Sequence, residues 1–132
     1  MIIFPSYIYF KEGKEKELQS EIQQVHPRLQ CLIEEMAFYV NGKGYRFVIT
    51  DLLSDALEDA KLNRVSTSHR EGRAVDIRTR DFSREFVREF EDYFEAKYGK
   101  FGAISKKTGK RNLIVFHDNG HGEHFHVQIS RE

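Results

Sequence analysis

The stretch His69-Arg70-Glu71-Gly72-Arg73-Ala74-Val75-Asp76-Ile77-Arg78-Thr79 decides how this chain is read. From Ala74 to Thr79 the residues alternate in character: Val75 and Ile77 fall on one side of an extended chain, Ala74, Asp76 and Arg78 on the other. A strand with one apolar and one polar face is the simplest fit. An aspartate in mid-strand is unfavourable unless something satisfies it, and a bound cation is one such partner. Upstream, Gly72 lets the backbone turn without a side chain in the way.

The segments around this strand alternate between helical and extended patterns. Residues 14–24 are charged and Gln-rich and read as a short exposed helix. After His26 and Pro27, a stronger helix is expected, because Leu29, Leu32, Ile33, Met36, Ala37 and Val40 recur at spacings of three and four. Pro27 suits its first turn and Asn41-Gly42-Lys43-Gly44 its end. Tyr45 to Thr50 is β-branched and aromatic, a strand, and Asp51 to Lys61 a loop with a short helical turn. Phe82 to Tyr98 is the clearest helix, with Phe82, Phe86, Phe90, Tyr93, Phe94 and Tyr98 as its buried stripe, Ser83 as N-cap and Gly99 as its stop. Asn112–Phe116 and His124–Ile129 read as strands, with Gly120 and Gly122 allowing a sharp turn between them. Helices and strands mix without a βαβ rhythm. The expected fold is therefore α+β, one small domain over residues 1–132, with an antiparallel sheet flanked by helices.

The 132 residues suffice for one domain with a real core. Lys and Arg number 21, as do Asp and Glu, so net charge gives no support for broad binding to nucleic acid or anionic lipid. Charge is uneven locally. Lys106, Lys107, Lys110 and Arg111 form a basic knot, and Glu85, Glu89, Glu91, Asp92 and Glu95 share one helix; both read as solvated surface. The single cysteine, Cys31, excludes an intramolecular disulfide and a cysteine-based zinc site, and reads as a buried spacer. No stretch approaches the ~20 apolar residues needed to cross a bilayer. The start, Met1-Ile2-Ile3-Phe4-Pro5, lacks a basic leader and cleavage site, so a cytoplasmic monomer with no membrane partner is expected.

Two imidazoles and a carboxylate, with room left for water, suit zinc best. His69 in the loop before the strand, Asp76 on it and His126 on the last strand supply such a set. His26 and His117 read as ordinary surface or satisfied core histidines, and His121, among glycines, is ambiguous. Thr67-Ser68 could simply cap a turn. His124 and His126 are two apart and share a strand face, so Glu123 points the other way unless its segment is irregular. Glu123 and His124 are both candidates for the general base, Glu123 being preferred.

At these residues the chain resembles the zinc D,D-peptidases and L,D-endopeptidases of peptidase family M15, the D-Ala-D-Ala carboxypeptidase and VanX-like group. That family carries Ser-x-His-x-x-Gly-x-Ala-x-Asp and, later, Glu-x-x-His or Asp-x-x-His. Thr67 stands at the serine, His69, Gly72, Ala74 and Asp76 match, and Glu123 and His126 match the second motif. The resemblance covers roughly residues 26–130, leaving 1–25 as an N-terminal helical extension. It implies that His69, Asp76 and His126 hold zinc at one edge of the sheet and that Glu123 is the catalytic base. Members of the family follow the earlier strand with a Ser-Gly-Tyr-Arg-like segment, whose arginine polarises the scissile carbonyl. Here Thr50-Asp51-Leu52-Leu53-Ser54 has no arginine, which leaves Arg64, Arg70 or Arg73 as substitutes.

The implied function is zinc-dependent hydrolysis of peptide bonds in peptidoglycan stem peptides, the substrate containing a D-amino acid. A short chain without a signal peptide resembles a bacteriophage or prophage endolysin, reaching the wall only after release. A cytoplasmic dipeptidase fits equally. A non-catalytic zinc-stabilised phage structural or assembly module is the alternative. A metal-dependent nuclease using His117, Asp118, Asn119 and the basic residues 106–111 is disfavoured by the zero net charge.

Overall fold

A computed structural model describes residues 4–63, 67–105, 108–118 and 122–131. The chain runs β1 (Ile8–Phe10), α1 (Glu15–Glu21), α2 (Pro27–Gly42), β2 (Phe47–Asp51), α3 (Ala56–Lys61), β3 (Ala74–Arg78) and α4 (Arg84–Tyr98). A 3-10 turn (Gly99–Phe101), β4 (Ala103–Ile104), β5 (Arg111–Asn112), β6 (Ile114–Asp118) and β7 (Glu123–Gln128) follow. Helix starts are capped as the residue types require. The Ser83 hydroxyl accepts from the Phe86 amide at 3.1 Å, Asp55 from Glu58 at 2.8 Å, and the His26 ring from Arg28 at 3.1 Å. Pro27, which has no N–H to leave unsatisfied, sits in the first turn of α2.

Five strands form the main sheet in the order β1-β2-β3-β7-β6, with β4 and β5 as a separate ribbon. All pairs are antiparallel except β1 with β2. The domain is thus α+β with a mostly antiparallel sheet. The N-terminal segment, expected to be helical, also contributes β1 as an edge strand. Three residues lined up beside Phe47–Ile49 are too short to signal a strand by pattern alone.

Helices cover one face of this sheet. Leu18 of α1, Ile22 just after it, Leu29, Ile33 and Met36 of α2, and Phe90 and Phe94 of α4 are buried with Phe47, Ile49, Val75, Ile77, Phe125 and Val127. Phe90 stacks on Phe125 with ring centroids 4.7 Å apart. Each such side chain removed from water contributes about 1.5–3 kcal/mol. Tyr93, expected in the buried stripe, is instead exposed and stacks on Tyr39 at 4.6 Å, because α4 turns that position away from the sheet. Cys31 is likewise exposed: it falls on the outer side of α2, between the inward Gln30 and Leu32. Glu95 is no mere solvated charge, since its carboxylate accepts from the Leu113 and Ile114 amides at 3.2 and 3.0 Å and ties α4 to the start of β6.

Candidate metal centre

The opposite face of the sheet carries the polar alternates of β3 and β7. Asp76 lies opposite His126 and Arg78 opposite His124, while His124 also faces His117 of β6. His69 reaches the same place from the loop before β3. In that loop the Glu71 amide donates to the Thr67 carbonyl at 3.0 Å, Gly72 to His69 at 3.1 Å and Arg73 to Ser68 at 2.8 Å. Gly72 has φ +71°, and a Cβ there would sit 3.4 Å from the Val25 backbone. Only glycine turns this corner against α2's lead-in without strain. The Thr67 hydroxyl donates to Glu71, which also receives Arg131 through two bonds at 2.7 and 2.8 Å. Arg73 donates to the Ile129 carbonyl at 2.5 Å. The loop is thereby fastened to the residues that leave β7, which holds His69 beside His126.

His69, Asp76 and His126 each offer one donor atom within 4.8 Å of the others, a group that could hold a metal ion. His69 Nε2 is 3.2 Å and His126 Nδ1 3.0 Å from the same oxygen, Asp76 Oδ1. Two donors each ~2.1 Å from a tetrahedral ion lie ~3.4 Å apart, so these separations suit a small metal. The outer nitrogens sharpen the argument. His69 Nδ1 is 2.6 Å from the Leu52 carbonyl, and His126 Nε2 is 3.0 Å from the Gln128 side-chain oxygen. Each ring therefore meets an acceptor at both nitrogens. With an ion held inward, each ring can donate its outer N–H to its acceptor and offer its inner nitrogen as a ligand. Burial opposes ionisation of Asp76, yet the charge and hydrogen bonds of His69 and His126 hold its carboxyl well below the ordinary carboxylate range. A buried carboxylate flanked by one nitrogen of each ring is a donor set that could hold a cation.

The cluster sits on β3 and β7, inner strands of the sheet, and not at the edge expected from sequence. The central position follows from the strand order, which a linear chain does not reveal. His124 joins the same face, its Nε2 3.9 Å from Asp76 Oδ2 and its Nδ1 3.1 Å from the Gly122 carbonyl. His117, read as an ordinary histidine, has its ring 4.5 Å from that of His124.

Glu123 is not brought to the cluster. Regular pairing of β7 starts at Glu123 itself, so strand alternation turns its side chain to the helix-covered face. There it meets Arg84 at the start of α4 through two bonds at 2.6 and 2.8 Å. Of the arginines considered as substitutes, Arg70 is bound to buried Asp59 at 2.9 and 3.1 Å, and Arg73 to Glu71 and Ile129. Arg64 lies outside the described residues, as do Met1–Ile3, Lys106, Lys107, Asn119, Gly120 and His121. Sequence reasoning placed Arg78 on the face of Asp76 but missed Gln128 and the Leu52 carbonyl as partners of the two rings. Gln128 was legible as the next member of the period-two series from His126. The Leu52 carbonyl carries no such signal.

No family model, no curated protein and no solved structure matches the chain significantly. Among the described residues, no helix is long and apolar enough to cross a membrane.

Proposed function

We propose that this chain is a zinc-dependent hydrolase of peptide bonds in peptidoglycan stem peptides, endolysin-like or a D,D- or L,D-peptidase. The observation that carries the reading is the convergence of His69 Nε2 and His126 Nδ1 on Asp76 Oδ1, each ring's far nitrogen occupied by an acceptor oxygen. Two imidazoles and one carboxylate favour zinc among the divalent ions. When bound, such an ion supplies Lewis acidity to a carbonyl and to water.

The chain's own residues divide the remaining work. His124 Nδ1 lies 3.1 Å from the Gly122 carbonyl, and its Nε2 stands on the cluster's face, 3.9 Å from Asp76 Oδ2. From there the imidazole can take a proton from an attacking water and return it to the leaving amine. His124 is accordingly the preferred base, and Glu123, held by Arg84, a structural partner of α4. Leu52 and Gln128 orient the two ligand rings. The choice of stem peptides as substrate rests on the motif match at His69, Gly72, Ala74, Asp76 and His126, with Thr67 in place of the serine.

A second reading is favoured by the Glu123–Arg84 pair: a metal-stabilised module without catalysis. Purified protein loaded with zinc separates the two when incubated with intact peptidoglycan and with D-Ala-D-Ala, products being weighed by mass spectrometry. Cleavage that chelator abolishes and that His124→Ala abolishes while keeping metal supports the hydrolase. Bound zinc with neither substrate cut supports the structural module and sinks the enzyme.

A further inference from the structure

Resting on that hydrolase reading, the geometry points to Arg78 as the anchor for a free carboxylate on the substrate, with Glu12 occupying the guanidinium until substrate displaces it. Arg78 follows Asp76 by two residues on β3 and lies opposite His124, so it leaves the sheet on the cluster's face. Its side chain is only 13% exposed, whereas that of Glu12 is 71% exposed. The guanidinium donates to Glu12 end-on, Nη1 to Oε1 at 3.3 Å and Nη2 to Oε2 at 3.0 Å. A planar fork meeting both oxygens of a carboxylate is how arginine recognises this group.

The asymmetry of the pair supports displacement. Arg78 is held by its strand, with its stem covered, while Glu12 belongs to the turn after β1 and can swing into water at little cost. The hydrogen bonds from Arg78 bring the Glu12 carboxyl down from 4.5 to about 2, as expected where a guanidinium favours a carboxylate partner. Residues two apart on a strand are separated by ~6.6 Å. A terminal carboxylate lies one residue beyond the last peptide bond, and the long arginine stem spans the difference. A substrate with its last peptide carbonyl at the cluster and its carboxylate at Arg78 would span the two-residue step from Asp76 to Arg78 on β3. This selects removal of a C-terminal residue or cleavage of a dipeptide over cutting inside a chain, a choice that the ligand set alone leaves open.

The test uses N-acetyl-D-alanine and its amide as uncleavable probes, titrated calorimetrically into the full chain with and without zinc. The wild type should bind the acid more tightly than the amide in both states. Arg78→Met should lose that preference by more than tenfold, and Arg78→Lys should restore part of it. Glu12→Gln should tighten the acid roughly 2–5-fold, the scale of releasing an exposed ion pair, and leave the amide unchanged. Equal binding of acid and amide by the wild type, or Glu12→Gln and Arg78→Met both binding the acid as the wild type does, overturns the inference. Because the probes are not cut, a protein without peptidase activity can still pass or fail this test. If Arg78→Met does not fold, the Glu12→Gln titration decides.

Discussion

The two faces of the central sheet are made by the same strands and have opposite chemistry. On β7, Phe125 and Val127 enter the helix-covered core while His124, His126 and Gln128 point to the other side; on β3, Val75 and Ile77 oppose Asp76 and Arg78. The first face gains stability from apolar area. The second collects buried polar groups that are tolerable only because each meets a partner, and no buried polar side-chain atom among the described residues lacks one. Catalytic or binding chemistry at such a place is thus carried on a platform whose rigidity is generated one residue away.

Substitutions on the two faces should separate cleanly. Phe125→Ala removes the ring stacked on Phe90 and should cost about 3–5 kcal/mol in urea unfolding, with metal stoichiometry of the folded fraction retained. A loss under ~1 kcal/mol would contradict the helix-covered core as drawn. Zinc at ~100-fold its dissociation constant should add about 2.7 kcal/mol to the wild type, reversed by chelator. Asp76→Ala should abolish that gain, and a variant that still responds to zinc would place the ion elsewhere. Gln128→Leu preserves shape but frees the outer nitrogen of His126, so competition with a chromophoric chelator should report a ~10–100-fold weaker zinc affinity.

The caps lie outside the comparison and calibrate it. Ser83→Ala should cost about 1 kcal/mol in denaturant and leave zinc affinity unchanged. The smallest effect concerns Glu71, whose carboxyl the Arg131 and Thr67 hydrogen bonds lower from its ordinary 4.5. A carboxyl depressed in the folded state stabilises above its unfolded value and loses that contribution as pH falls through its folded one. The stability difference between wild type and Glu71→Gln should therefore be larger at pH 7 than at pH 3, and a constant difference would remove the carboxylate from the loop's fastening.

Much of this was readable in order along the chain. The apolar period of Leu29 to Val40 and of Phe82 to Phe94 marked two helices, and the alternation at Ala74–Thr79 marked β3 and its two chemistries, because period and burial are properties of neighbouring residues. β1 escaped because three residues hold no period, and Tyr93 and Cys31 were assigned the wrong side because a helical stripe has edges that only packing defines. Glu123 is the instructive case. The spacing to His126 matched a motif, but strand alternation and a cation at the start of α4, 39 residues away, turned it to the other face.

The sequence by itself determined which residues could ligate a metal and which strand faces they occupy, since local geometry ties side-chain direction to position in the chain. Only the tertiary structure decided that His69 meets Asp76 and His126, that Leu52 and Gln128 meet the outer nitrogens, and that Glu123 pairs with Arg84. Those pairings depend on strand order and register, which are set by contacts between residues remote in sequence.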